Sequence, residues 1–493
     1  MPIGLPLGNY WQGQRSGMVG SVSGMQGLLE WLMLFERELL AFAAFWFCIG
    51  LIDEFAIDLT WLWLRMTGRA RTAQLPVGYG AEPLSGQAAV LIPAFQEAPV
   101  VGTTITHMLA AWPQRDLTIY VGCYRNDAAT LAAASAAAEG DSRVRVVVHG
   151  VAGPTTKADC LNRLYRALAA DEARSGRSFT SVILHDAEDM VHPAALQAID
   201  AALVLRDFVQ LPVRPELQPG SRWIAGHYAD EFAETHAKAM LVRAALGASL
   251  PAAGVGCGFS RLALGELAER RNEEGEAGPF VPECLTEDYE LGLVLSQQGR
   301  GSAFLRLRDD AGTLVATGSY FPDRLDAAVR QKTRWIHGIA FQGWDRMGWS
   351  GNGVELWMAL RDRRGPLTAV VLAAAYLLLI VDALLLGAQV AGYGSPPPLS
   401  APLKVMLLIS FGGFVWRASL RALFTAREYG PVEAAYAVLR IPLANVIAIM
   451  AGRRAIVAYF RSLRTGKVVW DKTTHDRHPA TVTVRTGLQR SGA

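Results

Sequence analysis

Gln87–Glu97 reads QAAVLIPAFQE. Its centre, Ala88-Ala89-Val90-Leu91-Ile92, is a continuous apolar run stopped by Pro93, the pattern of a strand buried on both faces. Three runs of the same kind follow: Leu117 to Gly122 (LTIYVG), Val144 to His149 (VRVVVH) and Val182-Ile183-Leu184. Between them Thr103–Trp112, Ala128–Glu139 and Lys157–Arg174 are rich in Ala and Leu and long enough to be crossover helices. Strands alternating with helices predict a doubly wound α/β domain built on a parallel sheet, within residues 67–365. Such sheets bind ligands beyond the carboxyl ends of their strands. The chemistry is therefore sought in Pro93–Glu97, Cys123–Asp127, His149–Gly153 and His185–Asp189.

Outside this domain the chain is apolar. Of its 493 residues 51% are hydrophobic and 19% charged, against about 25% charged in an average soluble domain. The excess excludes a disordered chain and argues against an ordinary cytosolic enzyme. A net charge of +2 gives no ground for a nucleic-acid partner. Five scattered cysteines form no CxxC pair, so neither a zinc site nor a disulfide framework is indicated.

The apolar residues lie at the two ends. After an N-terminal segment, residues 1–38, the stretch from Leu39 to Met66 predicts a first membrane helix, interrupted by Asp53, Glu54 and Asp58. Leu367 to Val390 contains one charged residue, Asp382; Pro396, Pro397 and Pro398 then end the helix, and Leu403 to Trp416 resumes the run. These two segments predict a transmembrane hairpin over residues 366–427. Val432 to Met450, with Arg440 and Pro442 in its middle, reads as an interfacial or re-entrant helix, or as a third C-terminal span, within residues 428–465. Arginines at positions 65, 69, 71, 361, 363, 364, 417, 421, 427, 453, 454, 461 and 464 flank the spans, and the proline loop has none. By the positive-inside rule the middle domain and the tail, residues 466–493, face the cytoplasm.

At the fourth strand end stands His185-Asp186-Ala187-Glu188-Asp189. Three carboxylates so close repel one another unless a cation intervenes, which suits a divalent metal with oxygen ligands shared with a diphosphate. The same residues would equally suit an acidic helix N-terminus. Glu97, Asp127 and Lys157 follow the first, second and third strands. Thr286-Glu287-Asp288 opens a helix, either as catalytic carboxylates or as a cap with an acidic first turn. Gln331-Lys332-Thr333-Arg334-Trp335 lies on a helix before the second span, with Gln331 one turn from Arg334 and Trp335. It could also be an aromatic and basic belt at the membrane interface.

Taken in order, these pieces resemble the processive membrane-embedded glycosyltransferases of family 2, the class of cellulose and hyaluronan synthases. That pattern is P-x-x-x-E, an Asp after the second strand, a lysine segment, D-x-D, T/E-E-D and Q-x-x-R-W. Here it reads Pro93–Glu97, Asp127, Lys157, Asp186/Glu188, Thr286-Glu287-Asp288 and Gln331-x-x-Arg334-Trp335. The Ala253–Ser260 segment, with Cys257 and Gly258, is similar to the family's acceptor-side loop. Within the family the chain looks like the bacterial inner-membrane phage-adsorption protein B type, on the strength of Leu51–Asp58 and of Val468–His475 (VVWDKTTH). Proteins of that type can carry a further C-terminal regulatory domain; none is expected after this tail.

The resemblance implies an α/β domain of GT-A type (Rossmann-like), flanked by transmembrane helices, in the bacterial inner membrane. It implies an inverting transfer from a nucleotide-sugar, of the UDP-sugar class, to a growing glycan or lipid-linked acceptor. Asp288 would be the general base beside Glu287, and Arg334 would meet the leaving diphosphate. Glu97, Asp127, Lys157, Asp186, Gln331, Trp335, Cys257 and Gly258 would line the substrate site. Mg²⁺ or Mn²⁺ would sit on Asp186, Glu188 and Asp189. Membrane lipid and an outer-membrane or periplasmic export partner are implied as well. Two departures stand out: D-x-D is Asp-Ala-Glu, and the acidic pair usual after the second strand is Cys123-Tyr124. Transfer of single sugars to a lipid carrier, and a non-catalytic platform or phage-receptor component, are the alternative readings.

Overall fold

Three of the four apolar runs form strands buried on both faces, whereas Val144–His149 is an edge strand of its sheet, only half-buried and with Val148 exposed. The computed structural model describes residues 10–275, 278–349, 351–393, 397–465 and 477–481, with side chains from residue 26. Val468–His475, Pro396 and the first nine residues lie outside the described residues. The strands are β1 (Gln87–Pro93), β2 (Leu117–Tyr124), β3 (Val144–His149), β4 (Phe179–Leu184), β5 (Phe208–Gln210), β6 (Cys257–Ser260) and β7 (Ser302–Phe304). They form one sheet in the order β3-β2-β1-β4-β6-β5-β7. The first four are parallel, as the sequence predicts. The sheet is not parallel throughout: β6 runs antiparallel to both β4 and β5. That part of the sheet is made from short strands whose apolar runs are too brief to announce themselves.

Register brings the functional loops to one edge. Pro93 pairs with Gly122, Gly122 with Val147 and Leu91 with Leu184, so β1 to β4 end at a common level. Ala88 to Ile92 are fully buried, with one layer of side chains on each face of the sheet. One layer packs against the Lys157–Ser175 and Arg261–Glu273 helices and the other against the Val101–Ala111 and Ala195–Leu203 helices. The Lys157–Ser175 helix begins on a capping box: the Thr156 side chain accepts from the Asp159 N–H, and the Asp159 carboxylate accepts from the Thr156 N–H. This cap makes Lys157 the first residue of its helix.

Among the described residues four helices are long and apolar enough to cross a membrane: Gln26–Met66, Gly365–Val390, Ala401–Tyr429 and Ile441–Thr465. A single helix, Tyr10–Met66, runs through the boundary anticipated at Leu39. The chain divides into two units, one of residues 1–55 with 367–416 and one of residues 56–366 with 417–493. In the first, Phe55 stacks on Trp416 with ring centroids 5.7 Å apart, and a Cβ on Gly413 would press into Leu51.

The second unit explains the charges that interrupt the apolar runs. Asp58 is buried and pairs with Lys238, which donates also to Glu234 at 2.7 Å. Arg417 meets the same Glu234 oxygen at 2.7 Å. Arg440, which splits the last apolar segment into the Pro431–Leu439 and Ile441–Thr465 helices, is fully buried. It donates to both oxygens of Asp230 at 2.8 and 2.7 Å and to Glu433 at 2.8 Å. Gly226 leaves the space that its guanidinium fills. The Ile441–Thr465 helix in turn packs along the Leu325–Ile336 helix, with Thr333, Ile447 and Ala451 at the contact.

Removing Arg440 strands two buried carboxylates, which costs about 3–5 kcal/mol in buried pairs of this kind. Arg440→Ala is therefore expected to lower the thermal unfolding midpoint of the detergent-solubilised protein sharply. An unchanged midpoint would show that the Asp230–Arg440–Glu433 network does not hold the last helices to the domain.

Candidate active site

The carboxyl edge of the sheet gathers charge from four separate segments. Lys157 Nζ lies 2.6 Å from Asp186 Oδ1. Burial alone would lower the Lys157 pKa, but Asp186, Glu287 and Asp288 together hold it above its ordinary value. Glu287 is buried, and desolvation with repulsion from Asp288 pushes its carboxyl up to about 7 against the pull of Lys157 and Arg334. Desolvation likewise raises Asp288, while Lys157 and Arg334 oppose the rise. One lysine and one arginine thus face three carboxylates that come from the end of β4 and the start of the Glu287–Gln297 helix.

The backbone around Asp288 is built to admit it. Gly254 has φ +74°, and a Cβ there would collide with Asp288 Oδ2. Gln210, buried at the end of β5, holds this loop from below. Its Nε2 donates to Val255 O at 3.0 Å, and its Oε1 accepts from the Ala253 N–H at 2.8 Å. The helix that Glu287 opens is fixed by residues that follow the Gln331–Trp335 motif. Gln342 Oε1 accepts from the Leu285 N–H at 3.0 Å, Arg346 donates to Glu290 at 2.8 Å and Tyr289 OH to Asp362 at 2.7 Å. Gly254 lies in the Ala253–Ser260 segment that the resemblance marks, but nothing in the local sequence marks Gln210, Gln342 or Arg346, because their partners are distant in the chain.

Other anticipated site residues have structural partners. Asp127 caps the Ala128–Ala138 helix by accepting from the Thr130 N–H at 3.2 Å, and it also accepts from the Gln96 N–H. Glu97 is buried at the start of the Val101–Ala111 helix, and its N–H donates to Thr130 Oγ1 at 2.9 Å. Asp189 is turned inward: Oδ2 lies 2.8 Å from His185 Nδ1 and accepts from the Asp186 N–H at 2.9 Å. Its carboxylate is a brace for the turn, which leaves Asp186 and Glu188 as the acidic pair at this strand end. Cys257 and Gly258 are correspondingly core residues. Cys257 is fully buried, desolvation and Asp288 raise its thiol, and a Cβ on Gly258 would collide with Ile199. The loop residue that reaches Asp288 is Gly254.

On the Leu325–Ile336 helix, Trp335 packs in an aromatic group with Tyr228, Phe232 and Phe321, at centroid separations of 6.1, 6.4 and 6.4 Å. Gln331 Oε1 is buried without a hydrogen-bond partner among the described residues. Arg334 projects its charge toward Glu287, Asp288 and the buried Tyr228. The helix is followed by a π-helical stretch, His337–Gln342, and by Gly353–Arg363 before the apolar helix begins at Gly365. The apolar helix begins two residues before the anticipated Leu367, and the intervening chain is helical for most of its length.

Residues 86–338 match the profile described as glycosyltransferase like family 2. The chain belongs to glycosyltransferase family 2. Its sheet, with β6 reversed against β4 and β5, is the GT-A-type arrangement implied by the resemblance. Over 472 residues this glycosyltransferase is 32% identical to bacteriophage adsorption protein B of Escherichia coli (strain K12) and to bacteriophage N4 adsorption protein B of Escherichia coli O157:H7. The match covers 90% of this chain and 63% of each relative, so the chain spans less than two thirds of their length. Among solved structures it is similar to a mannosyltransferase from Pyrobaculum calidifontis in complex with GDP-Man and Mn²⁺, at 16% identity and TM-score 0.42, covering 81% of this chain and 99% of that one. It is also similar to glucosyl-3-phosphoglycerate synthase from Mycobacterium tuberculosis in complex with Mn²⁺, UDP and phosphoglyceric acid, at 18% identity and TM-score 0.34, covering 55% and 81%.

The raised Glu287 carboxyl carries a stability signature. Its folded-state value of about 7 lies above the ordinary 4.5, so folding favours the protonated form. That contribution is complete below the unfolded value and is lost as the pH rises through about 7. Glu287→Gln, which cannot ionise, is expected to raise the melting temperature at pH 8 and to leave it nearly unchanged at pH 4. Equal shifts at both pH values would contradict the buried-carboxylate reading.

Proposed function

We propose that the chain is an inverting glycosyltransferase of the bacterial inner membrane. It transfers a sugar from a nucleotide-sugar donor, of the UDP-sugar class, to a growing glycan on the cytoplasmic side. The observation that carries this reading is the charge cluster at the sheet edge. Lys157, Asp186, Glu287, Asp288 and Arg334 interact there across four chain segments. An inverting displacement needs one base, a stabilised leaving group and no enzyme nucleophile, and this cluster contains both requirements.

Asp288 takes the proton from the acceptor hydroxyl as that oxygen attacks the anomeric carbon and the bond to the nucleoside diphosphate breaks. Burial raises its pKa, the direction that makes a carboxylate a stronger base. Lys157 and Arg334 place positive charge on the leaving diphosphate, and Gln331 supplies an amide to the donor or sugar. Trp335, held edge-on by Tyr228, gives the acceptor a rigid apolar face. Asp186 and Glu188 would hold Mg²⁺ or Mn²⁺. Their carboxylates match the oxygen preference of these ions. Among the described residues no group of three His, Cys, Asp or Glu gathers to enclose a metal, so the diphosphate would complete its shell. When bound, the ion neutralises charge on the departing diphosphate as a Lewis acid.

Extension of a glycan, rather than a single transfer, is supported by the contact between the Trp335 helix and the Ile441–Thr465 helix, which is of membrane-crossing length. Three spans, Gln26–Met66 and the hairpin, or four with Ile441–Thr465, fit a domain that delivers its product into the membrane toward an export partner.

Membranes containing the protein, supplied with UDP- and GDP-sugars and Mn²⁺ or Mg²⁺, are expected to release nucleoside diphosphate from one donor. Folded protein that consumes none would end this reading. Asp288→Asn should lower turnover by about 10²-fold or more while donor binding persists. Because Lys157 pulls the Asp288 pKa down, Lys157→Met should move the acid limb of the pH–rate profile to higher pH. A limb that stays in place would remove Asp288 from the role of base.

A further inference from the structure

The turn that presents Asp186 and Glu188 is held by its own backbone carbonyls. Ala187 O accepts from Thr104 Oγ1. Met190 and Gly318 exchange two backbone hydrogen bonds of 2.8 Å each, and Val191 O lies 2.9 Å from His107 Nε2. Those partners all come from the α/β domain. The remaining one does not: Asp189 O lies 3.1 Å from Nε2 of His478, 289 residues further along the chain.

His478 is built into this position. It is 1% exposed. Its Nδ1 accepts from the Ala480 N–H at 3.1 Å, which places the ring proton on Nε2, where it donates to the Asp189 carbonyl. Thr481 closes the short turn by donating its N–H to His478 O at 3.2 Å and its hydroxyl to the same oxygen at 2.7 Å. The His478 ring lies beside that of His107, 6.3 Å between centroids. Asp189 is consequently held at both ends, its carboxylate by His185 and the Asp186 N–H and its carbonyl by His478. Together the two buried histidines orient the residue next to Glu188.

We infer that His478 is a positioning residue of the donor site. By fixing the Asp189 carbonyl it sets the turn on which Asp186 and Glu188 stand, and it makes His478, with the short turn to Thr481, part of the machinery that receives a divalent cation with a nucleoside diphosphate. Groups that orient metal-binding carboxylates from behind act on affinity without touching the ion. The inference rests on the proposed role of Asp186 and Glu188.

The test measures binding of Mn²⁺ with UDP and of Mn²⁺ with GDP to the full-length protein by electron paramagnetic resonance, alongside donor and acceptor KM. His478→Ala should weaken cation–nucleotide binding by about tenfold or more and raise donor KM, with acceptor KM unchanged. His478→Gln, whose amide N–H can reach the same carbonyl, should recover most of the loss. If the alanine variant does not fold, His478→Phe fills the volume without a donor and takes its place. Binding within twofold of wild type in the alanine or phenylalanine variant, with wild type binding normally, overturns the inference alone. Wild type that binds neither nucleotide with Mn²⁺ overturns the donor-site reading and the inference with it.

Discussion

The candidate site depends on one electrostatic constraint. Two adjacent carboxylates, Glu287 and Asp288, begin a buried helix beside a third, Asp186, and Lys157 is the cation that they share. Desolvation acts against each of these charges separately, and their mutual attraction offsets it only if all arrive together. Much of the surrounding architecture serves that arrival. The capping box puts Lys157 at the start of its helix, the register of β1 and β4 places the Asp186 turn opposite, and Gln342 with Arg346 fixes the helix that Glu287 opens.

A second consequence concerns the link between the catalytic domain and the apolar ends. One of the acidic residues that interrupt the first apolar run, Asp58, and the arginine that splits the last one, Arg440, are both buried in ion pairs with the Ile224–Glu234 helix or the π-helical turn after it. They interrupt hydrophobic segments because they belong to the domain rather than to lipid. Such pairs add little net stability over apolar packing, but each partner is costly to leave alone, so they fix which helix meets which.

Much of the candidate site stands in motifs because the proposed chemistry needs particular side chains in a fixed order along the chain. Lys157, Asp186, Glu287, Asp288 and Arg334 were anticipated, and the structure brings them into one electrostatic cluster. Asp127, Asp189, Cys257 and Gly258 sit in the same motifs, yet they cap, brace or pack. A motif records residue types in order. It does not record which way a carboxylate turns, and that is decided by the nearest unsatisfied N–H or imidazole. The reverse failure is His478. It stands among polar tail residues without periodicity, and its partner is a backbone carbonyl, a group that every residue carries.

Hydrophobic periodicity and composition were enough to establish the α/β domain, its first four parallel strands, the strand ends beside which the candidate site lies and the apolar flanks. These are local quantities: a run of buried residues, a cap, a breaker. The reversal of β6, the opening left by Gly254 at Asp288, the inward turn of Asp189 and the return of the chain through His478 required the folded molecule. Each depends on a pairing between segments far apart in the chain. The energy of such a pairing comes from burial and complementary charge at the contact, and neither segment carries it alone.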